Sequence, residues 1–198
     1  MTILYKVKGN IYINLTNRCP CNCTFCIRQE GPGVYGSDPL WLEREPSVDE
    51  VKAAFLGTDP QSYNEIVFCG YGEPMERAAD VALIGKWLKE RYPEKTIRLN
   101  TNGLGSLICK QQCEHWLKGA VDIVSVSLNA PTKKAYDEIT RPKWDNSFEE
   151  MIRFAVNCKD YVPQVMFTIV DVLLPEDIDK CRKLADKNGI ELRVRKLD

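Results

Sequence analysis

Four cysteines stand close together near the N-terminus, in the stretch NLTNRCPCNCTFC. Cys19, Cys23 and Cys26 have the spacing C-x3-C-x2-C, and Cys21 lies between the first two. Three thiolates on a short loop can hold three irons of a cubane 4Fe-4S cluster, whose fourth iron normally takes a fourth cysteine. A missing fourth ligand leaves one iron open to an external chelator, as the open position does in a catalytic zinc site. The spacing therefore predicts a catalytic iron–sulfur site.

A zinc site is the alternative interpretation, because the four thiolates together could bind one ion. Structural zinc sites typically pair two knuckles that a longer stretch of chain separates, and here the cysteines are crowded into a single short loop. Cys21 is interpreted as a bystander in this loop, neither a ligand nor a catalyst.

The composition is that of an ordinary globular protein, with 44% hydrophobic and 28% charged residues in a chain of 198. We expect a single domain over residues 1–198. The formal net charge of −1 gives no indication of nucleic-acid binding. With neither a membrane-spanning apolar run nor a signal-peptide core, the sequence predicts a cytoplasmic protein. Because cytosolic thiols stay reduced and nine cysteines is an odd number, a disulfide framework is not expected.

Alternating strand and helix patterns must position these thiols. Strands are predicted at 11–16, 65–70, 96–100, 121–128, 164–171 and 190–195. Six such units imply a parallel sheet with right-handed crossovers, and Gly9-Asn10 predicts a small N-terminal β-hairpin. Two capping boxes are predicted to open helices, Ser47 with Glu50 and Ser147 with Glu150.

Several predicted strands alternate apolar and polar residues, whereas fully buried parallel strands read as continuous apolar runs. In the first strand Ile11, Ile13 and Leu15 share one face, and Tyr12 and Asn14 lie on the other. If helices cover the apolar face, the polar face must line something wet or liganded. The pattern predicts an α/β fold, an open partial (βα)6 TIM-like barrel with a polar lumen. A flat, doubly wound sheet is the alternative.

Barrel enzymes carry their chemistry at the carboxyl ends of the strands. The segments expected there are CGYGEP at 69–74, NTNG at 100–103, SVSLNAP at 125–131 and RVRKLD at 193–198. Glycines in the first segment allow a backbone to approach a ligand closely, although a simple turn is an alternative explanation. Arg193 and Arg195 face the same way and would grip a carboxylate or phosphate, or else form a solvated basic edge.

The cysteine spacing and these strand ends resemble the radical S-adenosylmethionine (SAM) superfamily, including the aromatic residue before the last cysteine. The resemblance implies that a 4Fe-4S cluster cleaves SAM to a 5′-deoxyadenosyl radical, which abstracts hydrogen from a substrate. It also implies that Tyr71 stands where the family usually has the second glycine of a pair. The cofactor-site residues implied are Phe25, Gly70, Tyr71, Gly72, Glu73, Asn102, Ser127, Asn129 and Arg193.

Three segments resemble the TatD-associated radical SAM family more narrowly: YINLTNRCPCNCTFCIR, LWLEREP and FCGYGEP. The 7-carboxy-7-deazaguanine synthases are similar in size and cysteine spacing, and a glycyl-radical activase would share these residues. The resemblance implies a flavodoxin or ferredoxin-type electron donor, an unidentified substrate and a functional link to a TatD-type nuclease. Two alternatives that are not enzymes stay open: a zinc-binding adaptor and an iron–sulfur electron carrier.

The cysteines outside the loop have structural interpretations. Cys109 and Cys113 are four residues apart, which predicts part of an apolar helix stripe rather than an auxiliary metal site. Cys69 is expected to pack within its strand.

The insertion at 28–46, which contains Tyr35 and Trp41, is either a lid or substrate wall or a packed surface loop. The segment TRPKW at 140–144 is expected at the opposite end of a helix from the site.

Overall fold

Seven strands form one sheet in the computed structural model, which describes residues 1–34 and 36–196. Tyr35 of the insertion and Leu197 and Asp198 of the last motif lie outside the described residues, as does the side chain of Gln61. The strands are β1 (Leu4–Val7), β2 (Asn10–Ile13), β3 (Glu65–Phe68), β4 (Thr96–Thr101), β5 (Ile123–Ser127), β6 (Gln164–Val170) and β7 (Glu191–Arg195).

The sheet order is the chain order, β1 to β7. β1 and β2 form the predicted antiparallel hairpin, and the two residues at its turn, Lys8 and Gly9, both have positive φ, as a type I′ turn requires. From β2 onward every neighbouring pair is parallel. A doubly wound sheet reverses its order at a switch point, so that alternative is wrong. An open, barrel-like sheet with an N-terminal hairpin is confirmed.

Helices connect the parallel strands. They are α1 (Val48–Leu56), α2 (Ala78–Arg91), α3 (Gly105–Cys109), α4 (Lys133–Thr140), α5 (Ser147–Cys158) and α6 (Pro175–Lys187). Short 3-10 turns lie at Ile27–Gln29, Pro60–Ser62, Pro74–Arg77 and Glu114–Leu117. Among the described residues, no helix is long and apolar enough to cross a membrane.

One predicted capping box is confirmed and the other is wrong. Ser47 and Glu50 bond reciprocally at the start of α1. At α5 the N-cap is Asn146, and the Ser147 hydroxyl donates to the Trp144 carbonyl at 2.7 Å. Ser147 lies one residue inside the helix because the preceding turn uses its side chain.

The predicted helix through Cys109 and Cys113 is also wrong. α3 ends at Cys109, and Lys110 follows in the left-handed region at φ 56°. Cys113 is nevertheless fully buried in the main core, so its apolar role is as expected.

The two faces of the sheet differ in chemistry as predicted. Ile13, Phe68 and Leu99 are fully buried in the main apolar core. On the opposite face Asn100 pairs with Ser125 in one register row. The next row on this face carries Ser127, Thr168 and Arg193. This polar face is called the lumen below.

Candidate active site

The cysteine loop follows β2 and is held from the far side by the segment at 140–144. The Asn22 N–H donates to the Thr140 carbonyl at 3.0 Å. Cys21 and Pro142 form an isolated antiparallel bridge. These contacts are made by backbone atoms, so they fix the path of the loop and do not use the cysteine thiols.

The prediction that TRPKW lies away from the site is therefore wrong. Two helices, not one, follow β5, and it is α5 that packs on β5 and β6. α4 does not have to return along the sheet, so its C-terminal end reaches the cysteine loop.

Cys21 is buried between two of the predicted ligands. Its thiol hydrogen-bonds to the sulfurs of Cys19 and Cys23, which lowers the pKa of both of those thiols. The same bonds raise the pKa of Cys21 itself. Within the loop, negative charge is thus favoured on Cys19 and Cys23 over Cys21.

Arg28 supplies the positive charge beside these sulfurs. Its Nε donates to Cys26 Sγ at 3.2 Å, and its guanidinium lies 5.8 Å from the centre of the Trp41 ring. Its charge also acts on Cys19 and Cys23. Sequence reasoning did not single out Arg28 as a site residue. The available signal was a basic residue two positions after the last cysteine.

The Gly70–Glu73 turn packs directly on the cysteine loop. A Cβ built on Gly72 would lie 2.6 Å from the Arg18 carbonyl oxygen and closer still to that of Thr16. A Cβ built on Gly70 would meet the side chain of Asn14. At both positions the missing side chain makes room for neighbouring atoms of the protein itself. The sequence instead predicts that these glycines let the backbone approach a ligand closely.

Glu73 joins three loops at this end of the sheet. Its backbone N–H donates to the Arg18 carbonyl at 2.8 Å. Its carboxylate accepts from the Thr101 hydroxyl and from the Asn102 N–H, both at 2.7 Å. Burial raises the pKa of Glu73 to about 7, against the lowering effect of these hydrogen bonds.

Asn102 brings the NTNG segment to the cysteines. Its Nδ2 lies 3.9 Å from Cys19 Sγ and 3.7 Å from Cys21 Sγ, and its Oδ1 accepts from the Leu104 N–H at 2.9 Å. The structure thus joins the cysteine loop, the Gly70–Glu73 turn and Asn102 into one site.

Tyr71 anchors the insertion at 28–46 to this site. Its hydroxyl donates to the Gly31 carbonyl at 2.7 Å, and its ring packs edge-on against Trp41 at 5.2 Å. Tyr71 is buried in a small second core with Leu40. The insertion is therefore a packed wall next to the turn, with the half-exposed Trp41 on its surface.

The remaining candidate residues lie at the same end of the sheet but farther along it. Phe25 is half-buried within the cysteine loop. Ser127 ends β5, and Asn129 follows it, buried, at a left-handed φ of 61° that asparagine tolerates. Arg193 lies exposed on the edge strand β7, in register with Thr168.

A model of the radical SAM superfamily matches residues 13–187, most of the chain. The chain belongs to the radical SAM superfamily. The cofactors of this superfamily are a 4Fe-4S cluster and SAM, and the chain is an enzyme of the radical SAM type.

Curated relatives include two GTP 3′,8-cyclases. The one from Limosilactobacillus fermentum is 27% identical over 136 residues, which are 69% of this chain and 38% of the relative. The one from Rhodococcus opacus is 24% identical over 192 residues, 95% of this chain and 51% of the relative. The chain thus spans about half or less of the length of these relatives.

Solved structures show the same fold. Streptococcus suis SuiB bound to S-adenosylmethionine superposes with a TM-score of 0.65 at 13% identity, over 94% of this chain and 40% of SuiB. Methylornithine synthase (PylB) superposes with a TM-score of 0.60 at 13% identity, over 94% of this chain and 52% of PylB.

The donor set of the loop fits an iron–sulfur cluster. Cys19, Cys23 and Cys26 are half-buried free thiols on one loop, beside the cation of Arg28. In the described part of the chain, no group of three or more histidine, cysteine and acidic side chains is placed to hold a single metal ion.

Proposed function

We propose that Cys19, Cys23 and Cys26 hold a 4Fe-4S cluster whose open iron takes SAM, and that the enzyme abstracts hydrogen from an unidentified substrate. The bound cluster and SAM supply a 5′-deoxyadenosyl radical for this step. The observation that carries the proposal is the junction of the cysteine loop, the Gly70–Glu73 turn and Asn102.

The chain's own residues position the cofactor. The backbone of Gly70, Gly72 and Glu73 takes the SAM amino group, and the Glu73 carboxylate holds this turn to Asn102. Tyr71 acts by fixing the wall at 28–46 next to the turn. Residues assigned to the rest of SAM or to the substrate are Phe25 against adenine, and Asn102, Ser127, Asn129 and Arg193 in the polar lumen.

Within the superfamily we assign the chain to the TatD-associated family. The supporting segments form one contact region, because LWLEREP at 40–46 packs beside the cysteine loop: the Asn17 amide donates to the Leu42 carbonyl at 2.7 Å. A 7-carboxy-7-deazaguanine synthase-like or glycyl-radical-activase-like reaction is the alternative.

The proposed partners follow from the chemistry. A one-electron donor of the flavodoxin or ferredoxin class reduces the cluster, and a TatD-type nuclease is a functional neighbour. We place the protein in the cytoplasm as a single domain over 1–198, with no nucleic-acid or membrane surface.

Anaerobic purification tests the cluster. We expect a brown protein with about four irons and four sulfides per chain. Cys19→Ala, Cys23→Ala and Cys26→Ala should each lose most of the iron, whereas the control Cys21→Ala should keep it. Colourless protein with one zinc that needs Cys21 would favour the adaptor.

Reduction with dithionite in the presence of SAM tests the chemistry. We expect release of 5′-deoxyadenosine, measured by chromatography. A fully loaded cluster that releases none would favour an electron carrier.

A further inference from the structure

Cys69, which was expected to pack within its strand, faces the lumen. It follows Phe68, whose side chain is fully buried on the helix side, and the alternation of side chains along a strand turns Cys69 to the other face. The thiol is half-buried; burial raises its pKa, and the side chain of Asn100 on the neighbouring strand acts in the opposite direction.

Charged side chains of both signs act on this thiol: the cations are Arg98 and Arg195, which is exposed on the edge strand β7, and Glu73 acts with the opposite sign. Arg98 is only 9% exposed, and its Nε has no hydrogen-bond partner among the described residues. Its Nη2 forms an ion pair with the Glu65 carboxylate at 2.7 Å. A buried guanidinium with an unused donor is costly unless a further acceptor binds, which points to an anionic group in the lumen.

The thiol also lies next to the proposed SAM turn. Cys69 directly precedes Gly70, and its carbonyl accepts from the Tyr5 hydroxyl at 3.1 Å, which fixes the strand end. Cys69 therefore stands at the start of the turn that takes the SAM amino group, on the face of the sheet that also carries Arg98.

We propose that Cys69 is a catalytic hydrogen-atom donor to a carbon radical on an anionic substrate, a carboxylate or phosphate, held in the lumen by Arg98 and Arg195. This inference rests on the proposed function. In the step, the S–H bond of Cys69 breaks and a C–H bond forms at the radical carbon, which leaves a thiyl radical. One electron from the flavodoxin or ferredoxin-class donor, with one proton from solvent, restores the thiol.

A thiol suits this task because its hydrogen exchanges with solvent and its S–H bond is weaker than an ordinary C–H bond. The other thiols outside the cysteine loop are placed differently. Cys113, Cys158 and Cys181 are fully buried in the apolar core. Cys109 is half-buried, but its charged neighbours are Glu114 and Glu76. Cys109 is therefore a matched control.

Deuterium transfer tests the donor without a known substrate. The enzyme with its cluster is reduced with dithionite in D2O with SAM alone, and the mass of the released 5′-deoxyadenosine is measured. Without substrate, the 5′-deoxyadenosyl radical itself is the carbon radical to which the thiol would donate. We expect most of the product to carry one deuterium in the wild type and in Cys109→Ala. In Cys69→Ser the labelled fraction should fall several-fold, since an O–H bond is too strong to donate.

The outcomes separate the two proposals. No 5′-deoxyadenosine from the wild type would refute the proposed function. Unlabelled product from the wild type, or equal labelling in Cys69→Ser, would refute the donor role alone. The deuterium label in the wild-type product tests the donor role even if Cys69→Ser fails to fold.

Alkylation of the loaded enzyme, without SAM or reductant, tests the anionic lumen. Cys69 is modified with iodoacetate, which is anionic, or with neutral iodoacetamide, and each peptide is quantified by mass spectrometry. The cations around Cys69 should make its iodoacetate-to-iodoacetamide ratio several-fold higher than that of Cys109, whose neighbours are acidic. An equal or lower ratio at Cys69, or no modification by either reagent, would overturn the anionic site.

Discussion

Gly72→Ala should loosen the contact between the SAM turn and the cysteine loop. Gly72 does not have a positive φ, so alanine meets no backbone strain. Its Cβ would instead lie 2.6 Å from the carbonyl oxygen of Arg18, a backbone atom that leads directly into Cys19. Overpacking of this kind costs about 1–3 kcal/mol. The smaller entropy of the unfolded variant offsets about 0.4–1 kcal/mol of this cost.

The net loss should be about 1–2 kcal/mol, which lowers Tm by roughly 2–8 °C in a protein of this size. Gly57→Ala is the matched control, because its Cβ would meet the Ala54 carbonyl at an ordinary 3.7 Å. The assay is thermal denaturation followed by circular dichroism, with iron content measured on the same samples. We expect iron to fall only in Gly72→Ala. A Gly72→Ala variant that melts at or above the wild type would show that the two loops are not in contact.

Three further predictions concern the same site. Glu73 has its pKa raised to about 7 from an ordinary 4.5, so its contribution to stability is present below pH 4.5 and is lost as the pH rises through 7. Chemical denaturation should show this loss, at most about 3 kcal/mol, and Glu73→Gln should abolish it; an identical pH slope in the variant would contradict the burial argument. Arg28→Gln should lower the midpoint potential of the cluster, because the substitution removes a positive charge and the hydrogen-bond donor to Cys26 Sγ. An EPR-monitored redox titration measures this potential. An unchanged potential would show that Arg28 does not act on the cluster. Tyr71→Phe should cost about 1 kcal/mol and speed proteolysis within 28–46, since the Gly31 carbonyl loses its donor; unchanged cleavage would show that the hydroxyl does not secure the insertion.

Local patterns predicted much of this molecule because they reflect local physics. Ser47 and Glu50 cap α1 through atoms three residues apart, so the motif contains its own partners. The polar–apolar alternation predicted an open barrel because a side chain's face follows from its position in the strand. Ser147 failed as a cap because the Trp144 carbonyl competed for its hydroxyl, a turn geometry that the spacing does not contain.

The candidate site was also predicted partly from local sequence, and its other parts became visible only in the tertiary structure. The cysteine spacing already predicts three ligands and one bystander, and the iron content of the cysteine variants tests that prediction. Long-range packing assigned the rest: TRPKW against the cysteine loop, Arg28 beside the sulfurs, and Cys69 among the lumen cations. These residues are brought together by strand order and by where each helix returns. Neither is encoded in any short stretch of chain, because both emerge only when the apolar faces of distant segments are buried together.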